Sequence, residues 1–161
     1  MRWLVCQGHR IETTLAGTGS KRLKVSVKSD YATRAVLGLS KYYATGKPVS
    51  VERLADEYGV SPKYLVQILL ALKSSHLVTS VRGKEGGYIL AHDPAEITFG
   101  SVLRAIDGAI LDTSPLNANP TPASLRGAWE AMRAAVDAAA DGITFQELLE
   151  RSQSAGEMYY I

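Results

Sequence analysis

The stretch Val60-Ser61-Pro62-Lys63-Tyr64-Leu65-Val66-Gln67-Ile68-Leu69-Leu70-Ala71-Leu72 decides the fold. Ser61 followed by Pro62 is a helix start, because serine caps and proline takes the first helical position, where its missing N–H costs nothing. Leu65, Ile68, Leu69 and Leu72 then recur at i, i+3, i+4 and i+7, which makes that face core. Helical geometry turns Lys63, Gln67 and Ser74 outward, with Tyr64 and Val66 on the flanks. These side chains suit a DNA groove. Lysine meets phosphates or guanine acceptors, glutamine pairs with adenine through two hydrogen bonds, and valine lies against a thymine methyl. Taken alone, the same face is also what any solvated helix presents.

The neighbours of this helix narrow the choice. Upstream, Ser50 caps a short helix with Val51, Leu54, Ala55 and Tyr58 inward, stopped by Gly59. Before it, Ser29 opens a helix carrying Ala32, Ala35, Val36, Leu39 and Tyr43, ended by Gly46-Lys47-Pro48. Downstream, residues 76–80 read as a strand, Val81-Arg82-Gly83-Lys84-Glu85-Gly86-Gly87 as a turn and Tyr88-Ile89-Leu90-Ala91 as the returning strand. A short helix, a glycine turn, a proline-started helix and a hairpin form the order of a winged helix-turn-helix. The tip carries Arg82 and Lys84 among three glycines, which permit positive φ and close backbone approach. An arginine so placed reaches a narrow minor groove, where negative potential concentrates. A nucleotide-cradling loop is disfavoured, because no lysine-serine pair or strand-to-helix context follows.

Beyond Asp93-Pro94, Thr98 caps a helix with Val102, Leu103 and Ile106, and residues 108–124, with three prolines and two asparagines, read as a loop. Residues 125–140 form an alanine-rich helix with Leu125, Trp129, Met132 and Val136 on one stripe. The alanines permit close helix approach, and the tryptophan and methionine supply apolar area beyond what a small DNA-binding core needs. Thr144-Phe145-Gln146-Glu147 is a capping box, with Ile143 and Leu148 as its hydrophobic staple. The expected fold class is mainly α with a small β-hairpin: a winged helix-turn-helix followed by a long dimerisation helix. Residues 1–23 form an N-terminal extension, 24–92 the DNA-binding domain, and 93–161 the effector loop and dimerisation helices.

Charge divides along the same lines. The net charge is only +2, yet residues 24–92 carry ten bases and five acids, whereas residues 93–161 carry four bases and ten acids. A basic half facing a polyanion and an acidic half with another task fit this split. No apolar run approaches a membrane span, and the opening residues lack a signal-peptide pattern, so a cytoplasmic protein without membrane contact is expected. The single cysteine, Cys6, forms no disulfide within the chain, and Cys6 with His9 supplies two ligands, too few for a metal site. Catalysis is not expected: His9, His76 and His92 have no evident base–nucleophile arrangement, and no paired carboxylates stand at a motif spacing.

Five segments resemble the Rrf2 family of winged-helix transcriptional regulators, which includes iron–sulfur cluster regulators, nitric-oxide sensors and cysteine-metabolism repressors. They are Lys24-Val25-Ser26-Val27-Lys28-Ser29-Asp30-Tyr31-Ala32, Val60-Ser61-Pro62-Lys63-Tyr64-Leu65-Val66-Gln67, Leu77-Val78-Thr79-Ser80-Val81-Arg82-Gly83, Gly86-Gly87-Tyr88-Ile89-Leu90-Ala91 and Glu96-Ile97-Thr98-Phe99-Gly100. The resemblance implies that Ser61, Lys63, Tyr64 and Gln67 meet DNA or brace the recognition helix and that Arg82 is the minor-groove arginine. Lys28, Gly83 and Lys84 complete the expected DNA-binding set. It also implies pairing of subunits through Leu125, Trp129, Met132 and Val136. Val66 stands where the family usually has glutamate, and His76 where it tends to have glycine.

Cluster-binding members carry three cysteines in the loop before the long helix, because thiolates hold the iron. Residues 109–124 contain neither Cys nor His, so no cluster and no cofactor are expected. The closing Gly156-Glu157-Met158-Tyr159-Tyr160-Ile161 is similar to the ends of cluster-free members that respond to a partner enzyme; an aromatic tail packed on its own domain or on the dimer mate is the alternative. Leu23 stands where the family begins with methionine. Residues 1–23 are therefore expected to be disordered, to reflect a start assigned too early, or to form a basic DNA-contacting arm. The expected function is a repressor that binds a pseudo-palindromic operator in double-stranded DNA as a homodimer and answers to a small-molecule or protein effector. The competing reading is a protein-interaction module whose acidic half senses a metabolic enzyme.

Overall fold

The computed structural model describes residues 25–113, 116 and 121–157. The extension with Cys6 and His9, part of the 108–124 loop and the closing Met158-Tyr159-Tyr160-Ile161 lie outside the described residues. Helix α1 spans Val27–Ser40, and its cap is Ser26 rather than Ser29: the extended Ser26 accepts the Ser29 N–H at 2.9 Å. Ser29 is instead buried and donates its hydroxyl to Asp107 at 2.6 Å. Because α1 ends at Ser40, Tyr43 falls beyond it in a 3-10 turn, Tyr43–Thr45, exposed rather than inward.

Helix α2, Val51–Tyr58, is capped by Ser50, which accepts the Arg53 N–H, and ends at Gly59 with φ +64°. Helix α3, Pro62–Ser74, follows with Ser61 as cap and Pro62 in its first turn. Leu65, Ile68, Leu69 and Leu72 are fully buried as the periodicity requires, each stabilising by about 1.5–3 kcal/mol relative to exposure. The chain leaves α3 through His76 at φ +58°, with the His76 N–H on the Lys73 carbonyl and the Leu77 N–H on the Leu72 carbonyl, both 3.0 Å. That exit consumes residues the sequence reading gave to a strand. Strand β1 therefore begins later, at Val78–Val81, and pairs antiparallel with β2, Gly87–Leu90, from Val78 opposite Leu90 to Val81 opposite Gly87.

Helices α4 Phe99–Asp107, α5 Ala123–Asp141 and α6 Phe145–Glu157 follow. The capping threonines behave as expected, Thr98 accepting the Ser101 N–H (3.0 Å) and Thr144 the Glu147 N–H (3.2 Å). They also face each other across an antiparallel bridge, with the Phe99 N–H on the Ile143 carbonyl and the Phe145 N–H on the Ile97 carbonyl. Helices α4 and α6 thus start side by side. Phe145 is driven into the core, its ring stacked near Phe99 at 6.5 Å. One apolar cluster joins Leu39, Leu54 and Leu69 to Ile97, Val102 and Phe145, so the segment after Asp93-Pro94 shares the core of the winged helix.

Helix α5 is different. Of its nineteen residues only Ala140 is buried. Near its C-terminal end Arg104 of α4 holds Asp137 at 3.6 Å and makes a close ion pair with Asp141.

Candidate nucleic-acid interface

The Ser61 hydroxyl accepts the Tyr64 N–H at 3.3 Å and fixes the start of α3. From that start Lys63 and Gln67 emerge one turn apart, both exposed. Tyr64 turns inward by half and meets Tyr31 of α1 edge-on, ring centroids 5.9 Å apart at 80°. Tyr64 therefore braces α3 against α1, an arrangement that stabilises by about 0.5–1.5 kcal/mol beyond its area. Lys28 lies in the first turn of α1, one turn before Tyr31, and is half-buried. Val66 is half-buried on the flank, while Leu70, on the outward face with Lys63 and Gln67, is exposed. Ser74 is exposed, but its hydroxyl is committed to the Leu70 carbonyl at 3.0 Å.

Residues 82–85 form the exposed tip of the hairpin, with Arg82, Gly83, Lys84 and Glu85 all at the surface. Gly83 sits at φ +125°, and the Gly86 N–H closes the turn on the Gly83 carbonyl at 3.0 Å. At the base, Tyr88 and Val49 exchange both backbone hydrogen bonds, at 2.9 and 3.0 Å, so a third short piece of backbone joins the wing. A Cβ on Gly87 would lie 2.2 Å from the Val49 carbonyl oxygen, which explains the glycine there. Lys73 at the end of α3 donates to Ser80 of β1 at 2.6 Å and ties α3 to the hairpin.

Two arginines of residues 24–92 were not singled out from sequence. Arg53, in the first turn of α2, lies over the Tyr42 ring at 4.5 Å and donates to its hydroxyl at 2.6 Å. Arg34 lies 5.8 Å from the Tyr31 ring and bridges Asp30 at 2.9 Å. In both cases an aromatic face holds the guanidinium while leaving it at the surface; for Arg53 the ring comes from another element, whereas Arg34 follows Tyr31 and Asp30 by three and four residues along α1. On α5, Leu125, Trp129 and Met132 are exposed, and Val136 is half-buried; Met132 and Val136 also border a pocket against α1 and α4.

A family model, Rrf2, described as iron-dependent transcriptional regulator, matches residues 25–151. The chain belongs to the Rrf2 family. A protein of Mycobacterium tuberculosis named as an HTH-type transcriptional regulator is 35% identical over 131 residues, covering 78% of this chain and 81% of that protein. The HTH-type transcriptional regulator CymR of Bacillus subtilis is 32% identical over 137 residues, covering 85% of this chain and 97% of CymR. Among solved structures, IscR of T. potens superposes with a TM-score of 0.68 at 33% identity, over 85% of this chain and 96% of that one. The global cysteine regulator CymR of B. subtilis gives 0.69 at 29%, over 81% and 98%. This chain is accordingly a DNA-binding transcriptional regulator of the Rrf2 family with the winged-helix fold.

The iron in the family description finds no matching donors here. Residues 109–124 hold no cysteine and no histidine, and among the described residues no three His, Cys, Asp or Glu side chains converge on a common point. The donor set does not fit an iron–sulfur cluster. Among the described residues no helix is long and apolar enough to cross a membrane.

Proposed function

We propose that this Rrf2-family protein is a cytoplasmic repressor, binding a pseudo-palindromic operator as a homodimer and working without an iron–sulfur cluster. The observation that carries the reading is the coupling of two DNA-facing elements: Lys73 of α3 and Ser80 of β1 are hydrogen-bonded, so Lys63 and Gln67 on one element and Arg82 and Lys84 on the other are held in fixed relation. Lys63 and Gln67 enter the major groove, Arg82 and Lys84 the flanking minor groove, and Lys28 meets the backbone, with Ser61, Tyr64 and Gly83 setting their positions. The glutamate that the family usually places at Val66 is absent, so base preference next to Gln67 differs from that of its relatives. Helix α5 pairs with a second copy through Leu125, Trp129, Met132 and Val136, and two-fold symmetry then spaces the half-sites by one helical turn or a multiple.

The test is the salt dependence of binding to DNA upstream of the protein's own gene, against a scrambled duplex, by fluorescence anisotropy. The operator is expected to bind at least a hundredfold more tightly than the scramble. Arg82→Ala is expected to lose about tenfold in affinity and to lower the slope of log K against log salt by about 1. Equal affinity for both duplexes contradicts operator recognition.

A further inference from the structure

Between the N-terminal turn of α1, the end of α4 and the middle of α5 lies a pocket of 270 Å³. Its walls are mainly apolar, with Leu103, Ile110, Leu111, Met132 and Val136 among the residues that line it. One charged group borders it, the Asp107 carboxylate. The Asp107 Oδ2 accepts the hydroxyls of Ser26 (2.7 Å) and Ser29 (2.6 Å), while among the described residues no lysine or arginine lies within ion-pair distance of it. Asp107 is also the last residue of α4, where its charge adds to the carbonyl end of that helix instead of offsetting it. An apolar chamber bordered by an exposed carboxylate with no cation beside it is complementary to a small cation carrying an apolar body.

We infer that this pocket is an effector site for a hydrophobic amine, whose ammonium group meets Asp107 and whose body of roughly ten heavy atoms fills the space between α4 and α5. The two serines orient the carboxylate through one oxygen and leave the other for the ammonium. The walls come from α1 of the DNA-binding domain, from α4 and from α5, whose Met132 and Val136 also belong to the proposed subunit seam, so an occupant sits at the edge of that seam, bridges these elements and favours one arrangement of them over another. Binding at the pocket stands on its own geometry, whereas its effect on DNA rests on the operator-binding reading above.

The full-length protein is titrated by calorimetry at low salt with 2-phenylethylamine, its neutral counterpart 2-phenylethanol, and 3-phenylpropionate. The amine is expected to bind with a dissociation constant on the order of 0.1–1 mM, at least tenfold more tightly than the alcohol, and the acid not at all. Asp107→Asn is expected to reduce the amine's advantage to threefold or less. Since that change also touches Ser26 and Ser29, Ala109→Phe, at an exposed residue on the pocket wall, serves as the second variant and is expected to abolish binding of every probe. Equal affinities for amine and alcohol overturn the inference. So does binding that survives Ala109→Phe, or no binding of any probe, which means that the pocket is filled by other residues of this chain or by a second copy. In the operator assay the amine is expected to change affinity severalfold in the wild type and not in Ala109→Phe. Amine binding with an unmoved operator affinity overturns the effector role, and amine binding by a protein that ignores operator DNA overturns the repressor reading while leaving the site in place.

Discussion

His76 occupies a left-handed backbone position that costs an ordinary L-residue about 1–2 kcal/mol, and its side chain is exposed, so no packing offsets the cost. Glycine relieves the strain but loses more entropy on folding. His76→Gly is therefore expected to stabilise the protein by about 0.5–1 kcal/mol, and His76→Val to destabilise it by at least 1 kcal/mol, read from urea midpoints. The position was legible only through the resemblance, which places glycine there; local pattern gave no sign, since residues 76–80 read equally well as the start of a strand. The outward residues of α3 were legible directly, because three- and four-residue spacing fixes both faces of a helix at once. Arg53 was not, because the Tyr42 ring that holds it belongs to the turn after α1 and not to its own helix, whereas the pairing of Arg34 with Tyr31 follows the three-residue spacing of α1 and went unread.

Among the elements, the wing depends on a contact with no sequence signature. Val49 lies between Pro48 and the Ser50 cap, yet its backbone completes the pairing of β2. A methyl group at Gly87 collides with that carbonyl, so Gly87→Ala is expected to cost about 1–3 kcal/mol and to speed hydrogen exchange at the Val49 and Tyr88 amides, with α3 unaffected. The C-terminal end of α5 is fixed electrostatically. The hydrogen bond from Arg104 holds the Asp141 carboxyl below its ordinary value of 3.8, with Thr98 adding to the effect. A depressed pKa contributes stability that is present above 3.8 and is lost as pH falls through the folded-state value. The wild type is thus expected to be more stable than Asp141→Asn at pH 6, and the difference to shrink towards zero as acid titration passes below pH 4, followed by circular dichroism. The cap at Thr98 and the capping box at Thr144 were readable from sequence; their mutual pairing was not, since a cap motif does not specify which other cap it will meet.

For the molecule as a whole, α5 carries the consequence for assembly. A nineteen-residue helix with one buried side chain gains little from its own domain, and isolated helices of this length are marginal in water. Its apolar stripe was legible from spacing, but the pocket it shares with α1 and α4 was not, because the elements meet across more than a hundred residues of chain. Trp129, 37% exposed on the stripe, is the residue to change. Trp129→Glu is expected to convert a dimer into a monomer at micromolar concentration in sedimentation velocity and to weaken operator binding more than a hundredfold, since only a half-site remains engaged. The glycine frame of the wing has a practical consequence of a different kind. Gly83, Gly86 and Gly87 fix the course of the backbone, while Arg82, Lys84 and Glu85 project from it into solvent. The three side chains form an exchangeable cassette, and a library varied at those positions alone offers a route to regulators with new flanking-sequence preferences on an unchanged scaffold.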